Sequence, residues 1–207
     1  MAPRPWGPSY SELVRAALVV CGDHELNGSA FAARVVASTG AHLHATVCSG
    51  LAALSGPRHG GAPARAYALI ADAIQTDSAP AFIASRWQRG DELPGFGHAL
   101  YPDGDPRAAE LLRMLREQRA DDPTMRRIDA LVHGAQDASG QHPNVDFTLA
   151  AICHAYALSA SPALVLFAAG RLAGWLAHAL EQQALGKLIR PRASYTGIQP
   201  DQVPAKT

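Results

Sequence analysis

The sequence predicts an all-α fold, and three observations predict it. Apolar residues recur at helical spacing along the chain, as at Leu111, Leu112 and Leu115. Asp105-Pro106 pairs a capping side chain with a proline suited to the first turn, and the Asp-Pro and Ser-Pro steps at 122–123 and 161–162 announce further helix starts. No run alternates apolar and polar residues for longer than a turn-bounded pair near Leu100, so no sheet is expected.

Residues 1–8 are Pro-rich and read as a disordered or extended arm. Ser9 then fits an N-cap, with Glu12 completing a capping box, and opens a helix that Gly22 ends. Residues 28–39 and 41–54 read as two Ala-rich helices divided at Gly40, small enough on most faces to pack closely. A tight turn at 55–61 (SGPRHGG) sets His59 just before a helix that runs from Pro63 to about Ile74. A short amphipathic helix over 80–89 carries Phe82, Ile83 and Trp87. Asp105-Pro106 and Asp122-Pro123 start two more helices, and 134–141 reads as a flexible polar loop. Asn144 caps a helix with Asp146 in its first turn and Leu149, Ile152 and Tyr156 on its apolar face. Ser161 to about Leu185 is apolar nearly all round and should be a buried central helix. The tail from Lys187 is basic at first and then loses periodicity.

Composition excludes several functions. The 207 residues are 48% hydrophobic, enough for one sizeable core and a second small one. Formal net charge is zero, so no global field draws nucleic acid or an anionic membrane, and a bound anion must be held by local charges. Cys21, Cys48 and Cys153 are odd in number and far apart, which points to buried reduced thiols and a cytoplasmic setting. No run of residues nears the length of a membrane span, and no signal core precedes a cleavage site. His44 and Cys48 have helical i, i+4 spacing but lack a third ligand in a closed motif, so no metal site is expected. The Gly-rich segments lack a following Lys-Ser/Thr, which argues against a nucleotide phosphate loop.

The stretch from Leu93 to Leu115, LPGFGHALYPDGDPRAAELLRML, organises the rest. Its oddity is Arg107. A cation in the first turn opposes the helix dipole, at a cost of roughly 0.3 to 1 kcal/mol, and is explained if an anion sits between it and the helix N-terminus. Arg171 is a second witness. It interrupts the apolar helix, where an unpaired charge costs several kcal/mol, so it needs a buried or a bound carboxylate.

Gly-Phe-Gly-His at 95–98, a few residues, then Asp-Pro-Arg at 105–107 resembles the signature of the citrate synthase family. DHELNGSAFAARVVAST (23–39), GPRHGGA (56–62), PNVDF (143–147), GRLAGWLAHALEQ and LIRPRASYTG resemble further family blocks, in the family's order. The resemblance implies condensation of oxaloacetate with acetyl-CoA or propionyl-CoA, giving citrate or 2-methylcitrate and free CoA, with the acyl-CoA as co-substrate and no permanently bound cofactor. By resemblance Asp146 is the base, His59 the donor to the thioester oxygen, and His98 the donor that polarises the oxaloacetate carbonyl. His24, Arg107, Arg171 and Arg190 hold the two carboxylates, Arg190 reaching into the neighbouring subunit of a dimer. The backbone of Leu93, Pro94, Gly95, Phe96 and Gly97 surrounds the adenine. The local physics supports two roles: a first-turn position favours Asp146 as carboxylate, and a helix start disfavours His59 as a cation.

The family's chains are about twice as long, so the resemblance implies a citrate synthase-like helical fold lacking the N-terminal part of the large domain. Residues 9–59 and 161–207 would be the remnant of that domain and 60–160 the small domain. The helices at 9–54 and 162–185 should then expose apolar surface, covered by a second copy or a separately encoded N-terminal half. Many family members carry a basic residue where Pro102 stands and often a lysine shortly before the Pro-Asn-Val-Asp stretch, where this chain has Gln141 and His142. The coenzyme phosphates would then be held differently, with Arg58 a substitute. Two other readings stay open on sequence: a non-catalytic or partner-dependent subunit of a longer synthase, and a citryl-CoA lyase.

Overall fold

A computed structural model describes residues 8–197, with side chains from residue 10 onward. Its elements are α1 (Pro8–Val20), α2 (Gly28–Ser38), α3 (Leu43–Leu54), α4 (Ala62–Gln75), α5 (Ala79–Gln88), α6 (Pro106–Gln118), α7 (Pro123–Ser139), α8 (Val145–Ala155) and α9 (Ser161–Leu185). The fold is all-α, and no strand occurs among the described residues; the pairing expected near Leu100 is a single bridge between Phe96 and Pro143. α1 already begins at Pro8, while the Ser9 cap and the arm at 1–7 lie outside what is described.

Helix boundaries follow side-chain chemistry. Asn27, Ser78, Asp105, Asp122 and Asn144 each accept hydrogen bonds from the first free amides of the helix they precede. Gly140 and Gly186 stop α7 and α9 in the left-handed conformation. The loop expected over 134–141 is therefore helix up to Ser139. Gly134 is not a breaker but a contact point: a Cβ there would lie 2.6 Å from the Pro80 backbone, so glycine lets α7 lie directly on α5.

α1, α2 and α3 pack on α9, α4 packs on α8, and α5 packs on α7. α8 also touches α6, α7 and α9, and every residue from Phe147 to Cys153 is buried. α9 departs from expectation. Arg171, Trp175 and Ala179 are buried, but Val165, Leu172, Leu180 and Leu185 stand in solvent, Val165 at 63% exposure. Val19 on α1, Phe31 on α2 and Leu51 on α3 are exposed too. By length and composition α9 reaches the range of a membrane span, which the sequence reading had excluded, yet its middle carries the buried Arg171 and packs on several helices as a core helix does. Cys21 and Cys153 are buried, as expected of free thiols, whereas Cys48 is exposed.

Candidate active site

The site is assembled where α9 crosses the end of α1. Gly170 and Gly174 flank Arg171, and a Cβ at either would strike a backbone carbonyl, that of Leu18 at 2.6 Å or of Gly22 at 2.3 Å. The two glycines thus let α9 close on the turn after α1 and carry Arg171 inside. Arg171 is 1% exposed; its Nε donates to the Cys21 carbonyl at 2.8 Å, and Phe167 lies 4.9 Å from its Cζ. Among the described residues it forms no ion pair with a carboxylate, and burial lowers its pKa. A buried guanidinium whose contacts are a carbonyl and an aromatic face has the chemistry to take up an anion.

The same turn presents His24. Its Nε2 shares a hydrogen bond of 3.0 Å with the Tyr101 hydroxyl, and its ring meets that of His98 edge-on with centroids 5.2 Å apart. Burial, with the charges of Arg107, His98 and Arg171, lowers the His24 pKa and keeps it neutral near pH 7. His98 stands between left-handed Gly97 and a short turn in which Leu100 N donates to Nδ1 at 3.1 Å. Nδ1 is thereby an acceptor, and in the neutral ring the proton sits on Nε2. Arg107 closes this group, its Cζ 5.8 Å from the centre of the Tyr101 ring.

Arg107 is not the unpaired first-turn cation the sequence implied. Its Nε and Nη2 donate to the two oxygens of Asp105 at 2.9 and 2.8 Å, so the anion beside it is the capping residue two positions earlier.

Asn144 ties the start of α8, which carries Asp146, to the turn that precedes His98. The Asn144 side chain accepts from the amides of Asp146 and Phe147, while its Nδ2 donates to Gly97 O at 3.0 Å and its backbone N to Gly95 O at 2.8 Å. One residue therefore caps α8 and fastens the Gly-rich turn to it. Gly95 has φ +90°, and a Cβ there would stand 2.8 Å from the Phe147 Cβ, so no other residue fits this turn. Asp146 is still mostly carboxylate at pH 7, as expected, but the helix dipole does not set its titration. Burial pushes its carboxyl up to about 6; the charges of Arg107, Arg65 and Arg171 pull it down and that of Asp105 up. Burial outweighs the dipole because α8 starts inside the protein, not at its surface.

His59 sits on the turn before α4, which is tight enough that Gly60 N donates to Leu54 O at 2.9 Å. Its Nε2 bonds to Ser29 Oγ at 2.9 Å, and Nδ1 has no partner among the described residues. Burial, then the charge of Arg171, lowers its pKa, so the ring is neutral at pH 7 as the sequence implied. Phe167 contacts both His59 and Arg171, linking the two ends of the site.

Arg190 is not brought to this cluster within one chain. It lies exposed on the segment after α9, fastened at Ile189 N by Ser38 Oγ, and has no hydrogen bond or ion pair with the described residues. In the 93–97 turn, Phe96 N donates to Leu93 O, Gly97 N donates to His142 O, and Gly95 O and Gly97 O accept from Asn144, while Leu93 N, Pro94 O, Gly95 N and Phe96 O have no hydrogen bond among the described residues. Arg58 and Pro102 are exposed, and His142 Nδ1 bonds to Gln136 Nε2 at 3.0 Å. A cavity of about 390 Å³ at 117–123 is lined by none of these groups; another of about 220 Å³ has Asp105 and His142 in its wall.

Sequence reasoning gave no role to Ser29 or Tyr101, and assigned Asn144 and Asp105 only to capping. Their signal was present in part: each lies within or beside a block that resembles the family.

Fold and site define an all-helical protein in which two histidine rings, two arginines and a raised carboxyl are set by α1, α6, α8 and α9. A family model for the citrate synthase C-terminal domain matches residues 3–192, and the chain belongs to the citrate synthase family. It is 37% identical over 199 residues to a protein named putative citrate synthase 2 from Mycobacterium tuberculosis, covering 93% of this chain and 53% of that one. Among solved structures it is similar to citryl-CoA lyase from Hydrogenobacter thermophilus, at 28% identity and a TM-score of 0.82, covering 96% of this chain and 81% of that one. It is also similar to the Thermoplasma acidophilum citrate synthase solved with carboxymethyl coenzyme A and oxaloacetate, at 28% identity and a TM-score of 0.79, covering 99% and 55%. The chain thus spans about half the length of the curated relatives it matches.

Proposed function

We propose that this chain forms the catalytic centre of a cytoplasmic citrate synthase-like acyltransferase that condenses oxaloacetate with acetyl-CoA or propionyl-CoA. The observation that carries the reading is Arg171, buried without a carboxylate, whose charge bears at once on His24, His59 and Asp146.

In this reading Arg171, Arg107 and His24 hold the oxaloacetate carboxylates, for which guanidinium groups supply forked donors. Asp146 takes a proton from the carbon next to the thioester carbonyl; with its carboxyl near 6, it is mostly ionised at pH 7 yet close enough to that pH to return a proton. His59 donates from Nδ1 to the thioester oxygen as it becomes negative. That tautomer needs the Ser29 hydroxyl to turn its proton toward Nε2, and Asn27 Oδ1, which otherwise receives it, already accepts from two helix amides. His98 donates from Nε2 to the oxaloacetate carbonyl as the new carbon–carbon bond forms. Water then cleaves the thioester and releases CoA.

Support for a further partner comes from the exposed apolar side chains on α1, α2, α3 and α9 and from the length of the relatives. A second copy, or a separately encoded N-terminal half, would cover these faces, and a second copy would also bring an Arg190. The similarity to a citryl-CoA lyase, most of whose chain is covered, favours a second reading in which the same groups run in reverse. His98 then takes the hydroxyl proton of citryl-CoA, the carbon–carbon bond breaks, and Asp146 protonates the departing enolate carbon.

The test follows free thiol with oxaloacetate plus acetyl-CoA or propionyl-CoA, corrected for the exposed Cys48, and oxaloacetate release from citryl-CoA alone. Condensation by the wild type and its loss by about 100- to 1000-fold in His59→Ala and in His98→Ala supports the synthase. Either variant at wild-type turnover removes the role of that residue, and activity on citryl-CoA alone selects the lyase.

A further inference from the structure

Asp105 serves the first turn of α6, but its surroundings exceed what a cap requires. Its side chain is fully buried and accepts four hydrogen bonds: Oδ1 from Arg107 N at 3.0 Å and Arg107 Nε at 2.9 Å, Oδ2 from Arg107 Nη2 at 2.8 Å and Val145 N at 3.0 Å. Val145 is not in the Asp105 helix. It is the first residue of α8, one position before Asp146.

We propose that Asp105 is a positioning residue: a single carboxylate that clamps the substrate-binding arginine and the helix of the general base together, fixing their mutual placement before substrate arrives.

Three features carry this. The fork uses Nε and one side of Nη2, so the Arg107 guanidinium is held in one plane while Nη1 has no partner among the described residues and is left for an incoming carboxylate. The start of α8 is divided between two acceptors, Asn144 taking the amides of Asp146 and Phe147 and Asp105 taking that of Val145, which Asn144 does not reach. An exposed aspartate would cap α6 equally well, whereas burying the carboxylate is costly unless its bonds are all made, as they are here. Burial acts to raise the Asp105 pKa, but the Arg107 hydrogen bond and charge and the two amides hold it below the usual carboxylate range, so the clamp stays ionised at neutral pH. Of the charges that bear on Asp146, Arg107 on α6, Arg65 on α4 and Arg171 on α9 are positive, and Asp105 is negative.

The names substrate-binding arginine and general base rest on the proposed function, so the decisive measurements need no ligand. In the full isotopically labelled chain, the Arg107 Nε–H should give a proton resonance protected from exchange, and Asp105→Asn should lose that protection. In the same variant the titration midpoint of the Asp146 carboxyl carbon should fall by roughly one pH unit, because a negative neighbour is gone and Arg107 is released. Removing the negative charge moves that midpoint whatever Asp105 does, so the Arg107 resonance decides: a residue that only caps α6 would lower the melting temperature and leave the Arg107 Nε–H protected, and this outcome overturns the proposal. An Arg107 Nε–H that exchanges in the wild type like an exposed arginine overturns it too, with no variant required should Asp105→Asn fail to fold. Oxaloacetate affinity, measured by calorimetry, should weaken about 10- to 100-fold in Asp105→Asn. A wild type that binds no oxaloacetate refutes the functional reading, and the Arg107 resonance still decides the clamp.

Discussion

Replacing Asp146 by asparagine should stabilise the protein, and do so only above acidic pH. Burial raises this carboxyl from the ordinary 3.8 to about 6, so ionising it in the folded state costs more than in the unfolded chain. At 1.36 kcal/mol per unit the difference amounts to about 3 kcal/mol. The sign follows from linkage. Between the unfolded and folded values the native state holds the extra proton, so the contribution of this group to stability falls as pH rises through that window, and the loss is nearly complete by about pH 7. Asparagine cannot ionise. Relative to the wild type, Asp146→Asn should gain about 3 kcal/mol at pH 7.5 and well under 1 kcal/mol at pH 4, on top of whatever constant offset the altered amide contacts impose. Urea unfolding followed by circular dichroism at the two pH values measures the change in that difference, from which the offset cancels. A difference that does not vary with pH would mean the carboxyl is as well solvated folded as unfolded, and the reasoning that makes it a base tuned near neutrality would fall. Condensation, if the chain performs it, should rise with pH through a midpoint near 6 and vanish in the variant.

Arg107→Met should destabilise by on the order of 3–5 kcal/mol, because it leaves the Asp105 carboxylate buried and unpaired, whereas Arg171→Met should cost under about 1 kcal/mol or stabilise, because it removes a charge that has no carboxylate partner; denaturant unfolding compares them. Both should weaken oxaloacetate binding, so calorimetry separates stability from recognition. Gly174→Ala sets a Cβ 2.3 Å from the Gly22 carbonyl and should cost roughly 2–3 kcal/mol with loss of the Arg171 placement, visible as a lower melting temperature together with weakened oxaloacetate binding. Asn144→Ala removes the cap of α8 and its bond to Gly97 O, and should lower stability by about 1–2 kcal/mol in urea unfolding.

Helices were legible wherever a local rule sufficed. Asp105-Pro106, Asp122-Pro123 and Asn144 announced their helices, and the structure begins α6, α7 and α8 at those points. Gly134 misleads because it opens a polar stretch that reads as a loop; that it instead lets one helix touch another depends on Pro80, more than fifty positions away. α9 misled in the opposite direction. Its composition is apolar on every face, but composition cannot say how much of that surface the chain itself covers, and Val165, Leu172 and Leu180 are left in solvent. In the site, residue types and order were readable from the blocks, while the partners that set charge state were not. Nothing near Asp146 in sequence reveals that α8 starts inside the protein, and nothing near His59 reveals Ser29, thirty positions earlier.

The two arginines show why the arrangement matters more than the inventory. The sequence argued the same thing of both: each is a cation in a place that disfavours it, so each needs an anion. The structure answers the two differently. Arg107 has its anion within the fold, so an incoming carboxylate there adds to a pair that already exists and meets a guanidinium whose charge is largely offset. Arg171 has no ion pair among the described residues, and on the proposed function the cost of burying it is recovered when an anion arrives. Affinity for a dianion should therefore be concentrated at Arg171, and geometry at Arg107, where the clamp fixes the plane of the fork. On the proposed function His24, held neutral by burial and the neighbouring cations, would complete the grip as a hydrogen-bond partner without adding charge. A dicarboxylate fits this division, one end neutralising a stranded cation and the other locating itself on a rigid donor, and a monoanion would satisfy Arg171 alone and leave the reacting carbon unplaced.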